Sequence, residues 1–255
     1  MRFHAQQPIA TGDDEIPLAG GRVTQGVVRV GDTVRRPHGQ SSDFVAGLLR
    51  HPETLVVVWA PRYLGQDRCE RDILTYITGG MPQRWSYFSD EQVADAALLF
   101  RAFHDATRGS TFASTASVVC HNDFGPNNAV FRDERPVAMI DFDTAAAGEP
   151  LEDLGYTAGA WCISSQAQPP PIEEQARQVR VLLDAYGGLA QSDRMALVTA
   201  VSERLERNVR FWTDALHNPG GVATPAGTIA EIIVWSRTEA AFVEANRRHF
   251  DEALR

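Results

Sequence analysis

The feature that most constrains the fold of this chain is a polar octapeptide followed by a short apolar hairpin. Residues 121–128 read HNDFGPNN, and residues 140–143 read IDFD. Two short apolar runs lie between these motifs, separated by a polar turn, and this pattern predicts two paired strands. Asn128 opens the first strand and Asp141 follows the second, so we expect both side chains at one end of the hairpin.

The residue types at this hairpin are those that phosphoryl transfer from a nucleotide requires. Asp123 carries the carboxylate needed to orient an acceptor hydroxyl and to take its proton. Asn128 and Asp141 offer the oxygen ligands that Mg²⁺ prefers. The alternative is a solvated hairpin in which Asp and Asn are turn formers and His121 is a core histidine. The complete array favours the first interpretation, a kinase-type active site.

Two positions argue against a protein kinase. Asn122 stands where the H-R-D loop of protein kinases has arginine, and Asp143 stands where D-F-G has glycine. No A-P-E sequence follows within a normal activation segment. We therefore expect the acceptor to be the hydroxyl of a small molecule.

These motifs, with GEPLEDLGY at residues 148–156, resemble the aminoglycoside phosphotransferase and choline kinase-like family, and the match spans residues 16–160 in order. The resemblance implies an α+β, two-lobed protein-kinase-like fold. Residues 1–78 would form a small antiparallel β-sheet lobe that binds the nucleotide, and residues 79–255 a larger, mostly helical lobe that holds the catalytic residues and the acceptor. ATP or GTP would lie between the lobes.

The resemblance also assigns roles to individual residues. Asp123 would be the catalytic base, and Asn128 and Asp141 would bind Mg²⁺. Asp153 would support the catalytic loop from the start of a helix. For Asp143 two roles stay open, namely assisting the metal or hydrogen bonding nearby.

The grip on the nucleotide phosphates departs from the usual pattern, because all 24 basic residues are arginine. Kinase-type folds usually place a lysine on the third strand. The segment 34–37 resembles the family's V-L-R-x-P, which favours Arg35 for this position. Strand alternation sends Arg35 and Arg36 to opposite faces, so only one can reach the phosphates. The usual glutamate partner falls near Val45, and Asp43 is the acid close by.

Two further segments are candidates for nucleotide contacts. The sequence of residues 16–31 predicts two strands joined by a turn of small residues. Backbone N–H groups around Gly21, Thr24 and Gln25 would cover the phosphates. A plain glycine-rich hairpin would look the same.

The second segment, residues 73–79, resembles the family's hinge. Backbone groups of Thr75, Tyr76 and Ile77 would hydrogen-bond the purine there. An ordinary connecting strand would look the same.

Composition limits the class of protein. No apolar run approaches the roughly 20 residues of a membrane helix, and the N-terminus lacks a signal-peptide pattern, so we expect a cytoplasmic protein. The net charge of −9 falls entirely on residues 81–255, so a nucleic-acid partner is not expected. An acidic helical part favours a cationic acceptor, although acidic helices are also ordinary solvated faces.

Helices are predicted at residues 91–107, 172–186, 202–216 and 228–253.

We therefore expect an ATP- or GTP-dependent, Mg²⁺-using O-phosphotransferase that acts on a small hydroxylated metabolite or antibiotic, as a monomer or homodimer. A choline-, homoserine- or sugar-type kinase is the nearest rival. A catalytically weak, pseudokinase-like nucleotide-binding module is the alternative from another class. The missing lysine and helix glutamate support that alternative, whereas Asp123, Asn128 and Asp141 oppose it.

Overall fold

The N-terminal part of the chain forms one antiparallel sheet. The computed structural model describes residues 14–18, 24–51, 59–83, 86–218, 222 and 224–255. The strands of this sheet are β1 (Ile16–Pro17), β2 (Val28–Val30), β3 (Thr33–Pro37), β4 (Tyr63–Gln66) and β5 (Arg71–Thr75). They lie in the order β1-β2-β3-β5-β4. β1 and β2 are antiparallel, as predicted, while the turn around Gly21 lies outside the described residues.

One helix connects this sheet to the rest of the molecule. Helix α1 (Ser42–Arg50) follows β3 and buries Val45, Leu48 and Leu49 on one face. A Cβ at Gly47 would lie 2.9 Å from Cε1 of Phe112, so the absence of a side chain allows α1 to pack closely on that ring. Phe112 belongs to the helical part of the chain, and the contact therefore fixes α1 against it.

Gly79 and Gly80 allow close packing where the chain leads from the sheet to the helical part. The backbone N–H groups of Gly80 and Phe131 each donate to the carbonyl of the other, at 2.9 and 2.8 Å. A Cβ at Gly79 would lie 2.4 Å from Cγ1 of Val130 and 2.6 Å from the Phe131 carbonyl oxygen. Any larger residue at position 79 would force these backbones apart.

The larger part of the chain is helical. Its helices are α2 (Asp90–Thr107), α3 (Pro150–Cys162), α4 (Ile172–Tyr186), α5 (Gln191–His217), α6 (Ala226–Ala245) and α7 (Arg247–Ala253). Ser89 and Gln92 form a capping box that begins α2. The predicted bounds of α4 are confirmed. Helix α5 begins at Gln191, earlier than the predicted start at residue 202. The prediction of a single final helix was wrong, because the chain leaves helical geometry at Asn246 (φ −110°, ψ 9°).

Short strands carry the two motifs of the sequence. β6 (Val118–Cys120) pairs with β9 (Ala146–Gly148), and β7 (Ala129–Arg132) pairs with β8 (Arg135–Met139). Asp133 and Glu134 join β7 to β8 with φ values of 48° and 61°, as a tight hairpin turn requires. The predicted hairpin is therefore confirmed.

The phenylalanines of the two motifs anchor the hairpin in the main core. Phe124 stacks on Phe100 of α2 with 5.3 Å between ring centroids, and Phe142 meets Phe103 edge-on at 5.6 Å. All four rings are buried. Because Phe124 and Phe142 turn inward, the polar residues beside them are left at the surface of the cleft between sheet and helices.

This is the predicted α+β architecture, with an antiparallel sheet lobe followed by a mostly helical lobe. The exact boundary between residues 78 and 79 stays a prediction. Within the described ranges, no helix has both the length and the apolar character needed to cross a bilayer.

Candidate active site

Asn128 and Asp141 lie side by side at the open end of the β7–β8 hairpin. Ala129 pairs with Met139, and beyond this pair the Ile140 N–H donates to the Asn128 carbonyl at 2.9 Å. Asp141 then adopts a left-handed backbone, with φ 65° and ψ 66°. This conformation costs a non-glycine residue about 1–3 kcal/mol and is concentrated at functional sites. The structure thus has the juxtaposition that the motif spacing predicts.

Both carboxylate oxygens of Asp123 accept hydrogen bonds. Nδ2 of Asn128 donates to Oδ2 of Asp123 and to its backbone carbonyl, each at 2.8 Å. The hydroxyl of Tyr156 donates to the other oxygen, Oδ1. Since Asn128 commits both of its N–H donors to Asp123, its amide oxygen is the atom left to bind a cation.

Asp153 holds the backbone of the catalytic loop. It lies fully buried in the first turn of α3. Its Oδ1 accepts the Asn122 N–H at 2.7 Å, and its Oδ2 accepts the His121 N–H at 2.5 Å and lies 3.1 Å from Nε2 of His104. A carboxylate at this position is also favoured by the helix dipole. These contacts are those that a residue supporting the loop would make, and the supporting role stays a prediction.

His121 ties the same loop to the end of β8. Its ring is fully buried, and Nε2 donates to the Ile140 carbonyl at 3.1 Å. Burial lowers the pKa of His121, so the ring is neutral at pH 7. This arrangement suits a structural support.

Asp143 reaches across to the sheet lobe. Its Oδ1 forms an ion pair with the guanidinium of Arg36 on β3, and its Oδ2 accepts the hydroxyl hydrogen of Thr24 at 3.1 Å. Asp143 thus hydrogen-bonds to nearby groups, and its assistance to a metal stays a prediction.

The carboxylates of Asp123, Asp141 and Asp143 lie near one another in the cleft and repel one another. Limited hydration in the cleft, and then the negative charges of Asp143 and Asp123, raise the pKa of Asp141 to about 6, while Arg36 acts in the opposite direction. A site that concentrates negative charge and offers carboxylate and amide oxygens fits a hard divalent cation such as Mg²⁺. Asp141 and Asn128 are the residues that would hold it.

Arg36, not Arg35, faces the catalytic residues. Arg36 lines the cleft and pairs with Asp143. Arg35 donates to the hydroxyl of Thr33, and its Nε lies 3.8 Å from Oδ2 of Asp67. This geometry favours Arg36 over the preferred Arg35 for the phosphate contact, and the choice between them stays a prediction. Alternation along β3 does separate the two arginines, but the sequence does not say which face of the sheet meets the helical lobe.

The acidic partner of Arg36 comes from the segment after β8 and not from α1. Val45 is buried, and the side chain of Asp43 is 99% exposed, with its carboxylate 3.9 Å from the His38 ring. Asp143 therefore pairs with the arginine in place of the missing helix glutamate.

The hinge segment offers fewer free donors than the sequence suggests. The Thr75 N–H donates to the Arg62 carbonyl at 2.9 Å, and the Tyr76 N–H donates to the Asp32 carbonyl at 2.8 Å. Those two N–H groups are therefore unavailable to a purine, although Thr75, Tyr76 and Ile77 all line the cleft. Their carbonyl groups and the Ile77 backbone remain the candidates.

The glycine-rich segment is described only in part. Thr24 and Gln25 line the cleft, as a phosphate-covering loop requires. Gly21, the third residue predicted for this loop, lies outside the described residues.

The cleft has a volume of about 2630 Å³ and continues from the sheet lobe past Asp123 to a wall formed by α3, α5 and α6. Exposed carboxylates of Asp214 and Glu231 line this wall, together with Arg204. The volume exceeds that of a single small-ligand pocket. A cleft of this volume is large enough for two small molecules.

Sequence reasoning missed two residues near Asp123, namely Tyr156 and Arg204. Tyr156 lies one helical turn after Asp153, and that spacing could have revealed it. Arg204 donates to the Asn122 carbonyl at 2.5 Å, and its guanidinium lies over the Tyr156 ring at 5.0 Å. No local signal in the sequence connects Arg204 with the catalytic loop.

Comparisons with known proteins agree with this geometry. Residues 81–197 match the model of the phosphotransferase enzyme family. The chain is 30% identical, over 277 aligned positions, to the trifolitoxin immunity protein of Rhizobium leguminosarum bv. trifolii, and the alignment covers 95% of this chain and 99% of that protein. The chain belongs to the phosphotransferase enzyme family.

Solved structures support the fold. A choline/ethanolamine kinase family protein from Mesorhizobium loti has a TM-score of 0.60 at 18% identity, and the match covers 95% of this chain and 92% of that one. The complex of gentamicin with APH(2″)-IIa has a TM-score of 0.60 at 14% identity, with 93% of each chain covered. Spectinomycin phosphotransferase, in complex with ADP and spectinomycin, has a TM-score of 0.60 at 10% identity, with 92% of each chain covered. The two-lobed, kinase-like fold is therefore confirmed.

Proposed function

We propose that the protein transfers the γ-phosphoryl group of ATP or GTP to a hydroxyl of a small molecule. The observation that carries the proposal is the meeting of Asp123, Asn128 and Asp141 at one end of the β7–β8 hairpin, inside a cleft that Arg36 also lines. Membership in the phosphotransferase enzyme family supports the same reaction type.

Each residue has a separate task in this proposal. Asp123 accepts a hydrogen bond from the acceptor hydroxyl, orients it, and takes its proton as the oxygen bonds to phosphorus. Mg²⁺, when held by Asn128 and Asp141, would neutralise charge on the phosphate oxygens. Arg36 would bind the phosphates bidentately, which a guanidinium does without losing its charge.

The surrounding backbone would bind the donor nucleotide. Residues around Thr24 and Gln25 cover the phosphates, and the Ile77 backbone contacts the purine. We keep ATP and GTP both as candidate donors, and residues 1–78 as the nucleotide-binding lobe.

The acceptor is proposed to be an antibiotic or toxin, since the relative's name includes immunity to trifolitoxin. Asp214 and Glu231 on the cleft wall would attract a cationic acceptor. A choline-, homoserine- or sugar-type substrate is the rival within the same reaction class. We place the reaction in the cytoplasm, where nucleotide triphosphates are available, with the chain acting as a monomer or homodimer.

The test measures ADP or GDP release across a panel of trifolitoxin, aminoglycosides, amino-alcohols and sugars. We expect release that depends on one acceptor class and falls at least about 100-fold in Asp123→Asn, because a positioned base contributes that much. Asp133→Asn is the matched control, since Asp133 is exposed, sits in the hairpin turn, and occupies a left-handed conformation that asparagine tolerates.

Calorimetry with Mg²⁺ and nucleotide separates this function from the alternative nucleotide-binding module. The phosphotransferase proposal requires nucleotide binding together with acceptor-dependent turnover. Binding without turnover on any acceptor would favour the module. Equal turnover by wild type and Asp123→Asn would contradict the proposed role of the site.

A further inference from the structure

The hydroxyl of Tyr156 occupies a hydrogen-bonding position on Asp123 that an acceptor hydroxyl would also use. Its phenolic hydroxyl donates to Oδ1 of Asp123, while Oδ2 is committed to Asn128. An acceptor hydroxyl that is to lose its proton to Asp123 must donate to the same carboxylate. Tyr156 and the acceptor therefore offer the same kind of donor to the same group.

The tyrosine is held in place from three directions. It lies one turn after Asp153 on α3, so the helix that anchors the catalytic loop also fixes the start of this side chain. The guanidinium of Arg204 lies over its ring at 5.0 Å. On the third side, a Cβ at Gly125 would lie 3.6 Å from its hydroxyl, which shows how closely the loop packs against the helix.

Arg204 links this tyrosine to the acceptor wall. The same guanidinium donates to the Asn122 carbonyl at 2.5 Å, and it comes from α5, which lines the cleft. An acceptor that contacts α5 is therefore able to move Arg204 and Tyr156 together. The base would become available when the acceptor site is filled.

We propose that Tyr156 is a positioning residue that occupies Asp123 in the absence of acceptor and yields its place to the acceptor hydroxyl. The inference rests on the proposed phosphotransferase function. Its consequence is protection of the nucleotide. A water molecule that reached Asp123 would lose a proton to it and attack the γ-phosphorus. The bond from phosphorus to the bridging oxygen would then break, and ADP and inorganic phosphate would be released. The tyrosine hydroxyl excludes water from that place.

The experiment compares wild type, Tyr156→Phe and Tyr156→Phe/Asp123→Asn with Mg²⁺ and ATP. Without acceptor, we expect Tyr156→Phe to hydrolyse ATP on the order of tenfold faster than wild type, as expected for the loss of one hydrogen bond to a carboxylate. The double variant should return to the wild-type rate or below. With acceptor, KM should fall in Tyr156→Phe while kcat changes little, because no internal donor has to be displaced.

Tyr87→Phe is the matched control, since Tyr87 lines the same cleft and its side chain is exposed. Thermal melting identifies any loss of fold, and Tyr156→Leu answers the same question should the phenylalanine variant not fold. A structural role for Tyr156 would lower hydrolysis and transfer together. The proposal requires the ratio of the hydrolysis rate to the transfer rate to be higher in Tyr156→Phe than in wild type.

Failure of this proposal differs from failure of the proposed function. Acceptor-dependent transfer that needs Asp123, with an unchanged ratio in Tyr156→Phe, overturns the role of Tyr156 alone. The absence of any Asp123-dependent turnover in all variants overturns both. A phosphoryl group found on Tyr156 by intact-mass and peptide analysis also overturns the positioning role, because the hydroxyl would then be an acceptor itself.

Discussion

The replacement of Asp153 by Asn should destabilise the protein strongly while preserving side-chain shape. The carboxylate of Asp153 is fully buried and receives three donors, from the His121 and Asn122 N–H groups and from the His104 ring. An asparagine has one acceptor oxygen, so its NH₂ group must face at least one of these donors.

The magnitude follows from that mismatch. A hydrogen bond to a charged group contributes about 1.5–3 kcal/mol, and a buried donor left unsatisfied costs about 1–3 kcal/mol. We therefore expect Asp153→Asn to lower the free energy of unfolding by about 3–5 kcal/mol. This is a large part of the roughly 5–15 kcal/mol typical of a folded domain.

Urea unfolding followed by tryptophan fluorescence measures this change, since the chain has five tryptophans. Glu152→Gln is the matched control, because Glu152 is the neighbouring carboxylate on the same helix. Its ion pair with Arg207 is exposed, with 3.3 Å between the charged atoms, and should contribute under about 1 kcal/mol. If Asp153→Asn loses no more stability than Glu152→Gln, the buried-anchor reasoning is refuted.

Three further predictions concern the nucleotide side of the cleft. Arg36→Met should weaken nucleotide binding in calorimetry by at least about tenfold, because a phosphate contact of roughly 1.5–3 kcal/mol is lost, whereas Arg35→Met should change it less than about threefold. Gly79→Ala should lower the melting temperature, since its Cβ would lie 2.4 Å from Val130, and Gly39→Ala, where a Cβ meets nothing within 4 Å, should not. In metal-free protein, the pKa of about 6 for Asp141 means that charging this group opposes folding. The free energy of unfolding of the wild type should therefore fall as the pH rises from about 4 to 6. Asp141→Asn should lack this fall when melting temperatures are compared with pH.

The catalytic half of the site was predictable because its residues are close in sequence. The spacing from Asp123 to Asn128, and a hairpin that returns the chain to Asp141, place these groups together through local geometry alone. The supporting role of Asp153 was implied by the resemblance of residues 148–156 to the family's motif.

The contacts of Arg36, Asp143 and Arg204 depend on long-range packing, which a single sequence does not reveal. Alternation separates Arg35 from Arg36, but the cleft-facing side of β3 is decided by how the sheet packs on the helical lobe. The replacement of the helix glutamate by Asp143 joins residues far apart in the chain, as does the contact of Arg204 with Asn122. The break at Asn246 was missed because the apolar pattern continues across it.

The most direct test of the account follows the oxygen atom of the acceptor. An acceptor that supports ADP release is labelled with ¹⁸O at its hydroxyl and incubated with Mg²⁺, ATP and either wild type, Asp123→Asn or Asp133→Asn, and the product is analysed by mass spectrometry. We predict a phosphorylated product that retains the label in wild type and Asp133→Asn, with a rate at least about 100-fold lower in Asp123→Asn. ADP release without a phosphorylated acceptor, or equal product from Asp123→Asn, would contradict phosphoryl transfer at this site.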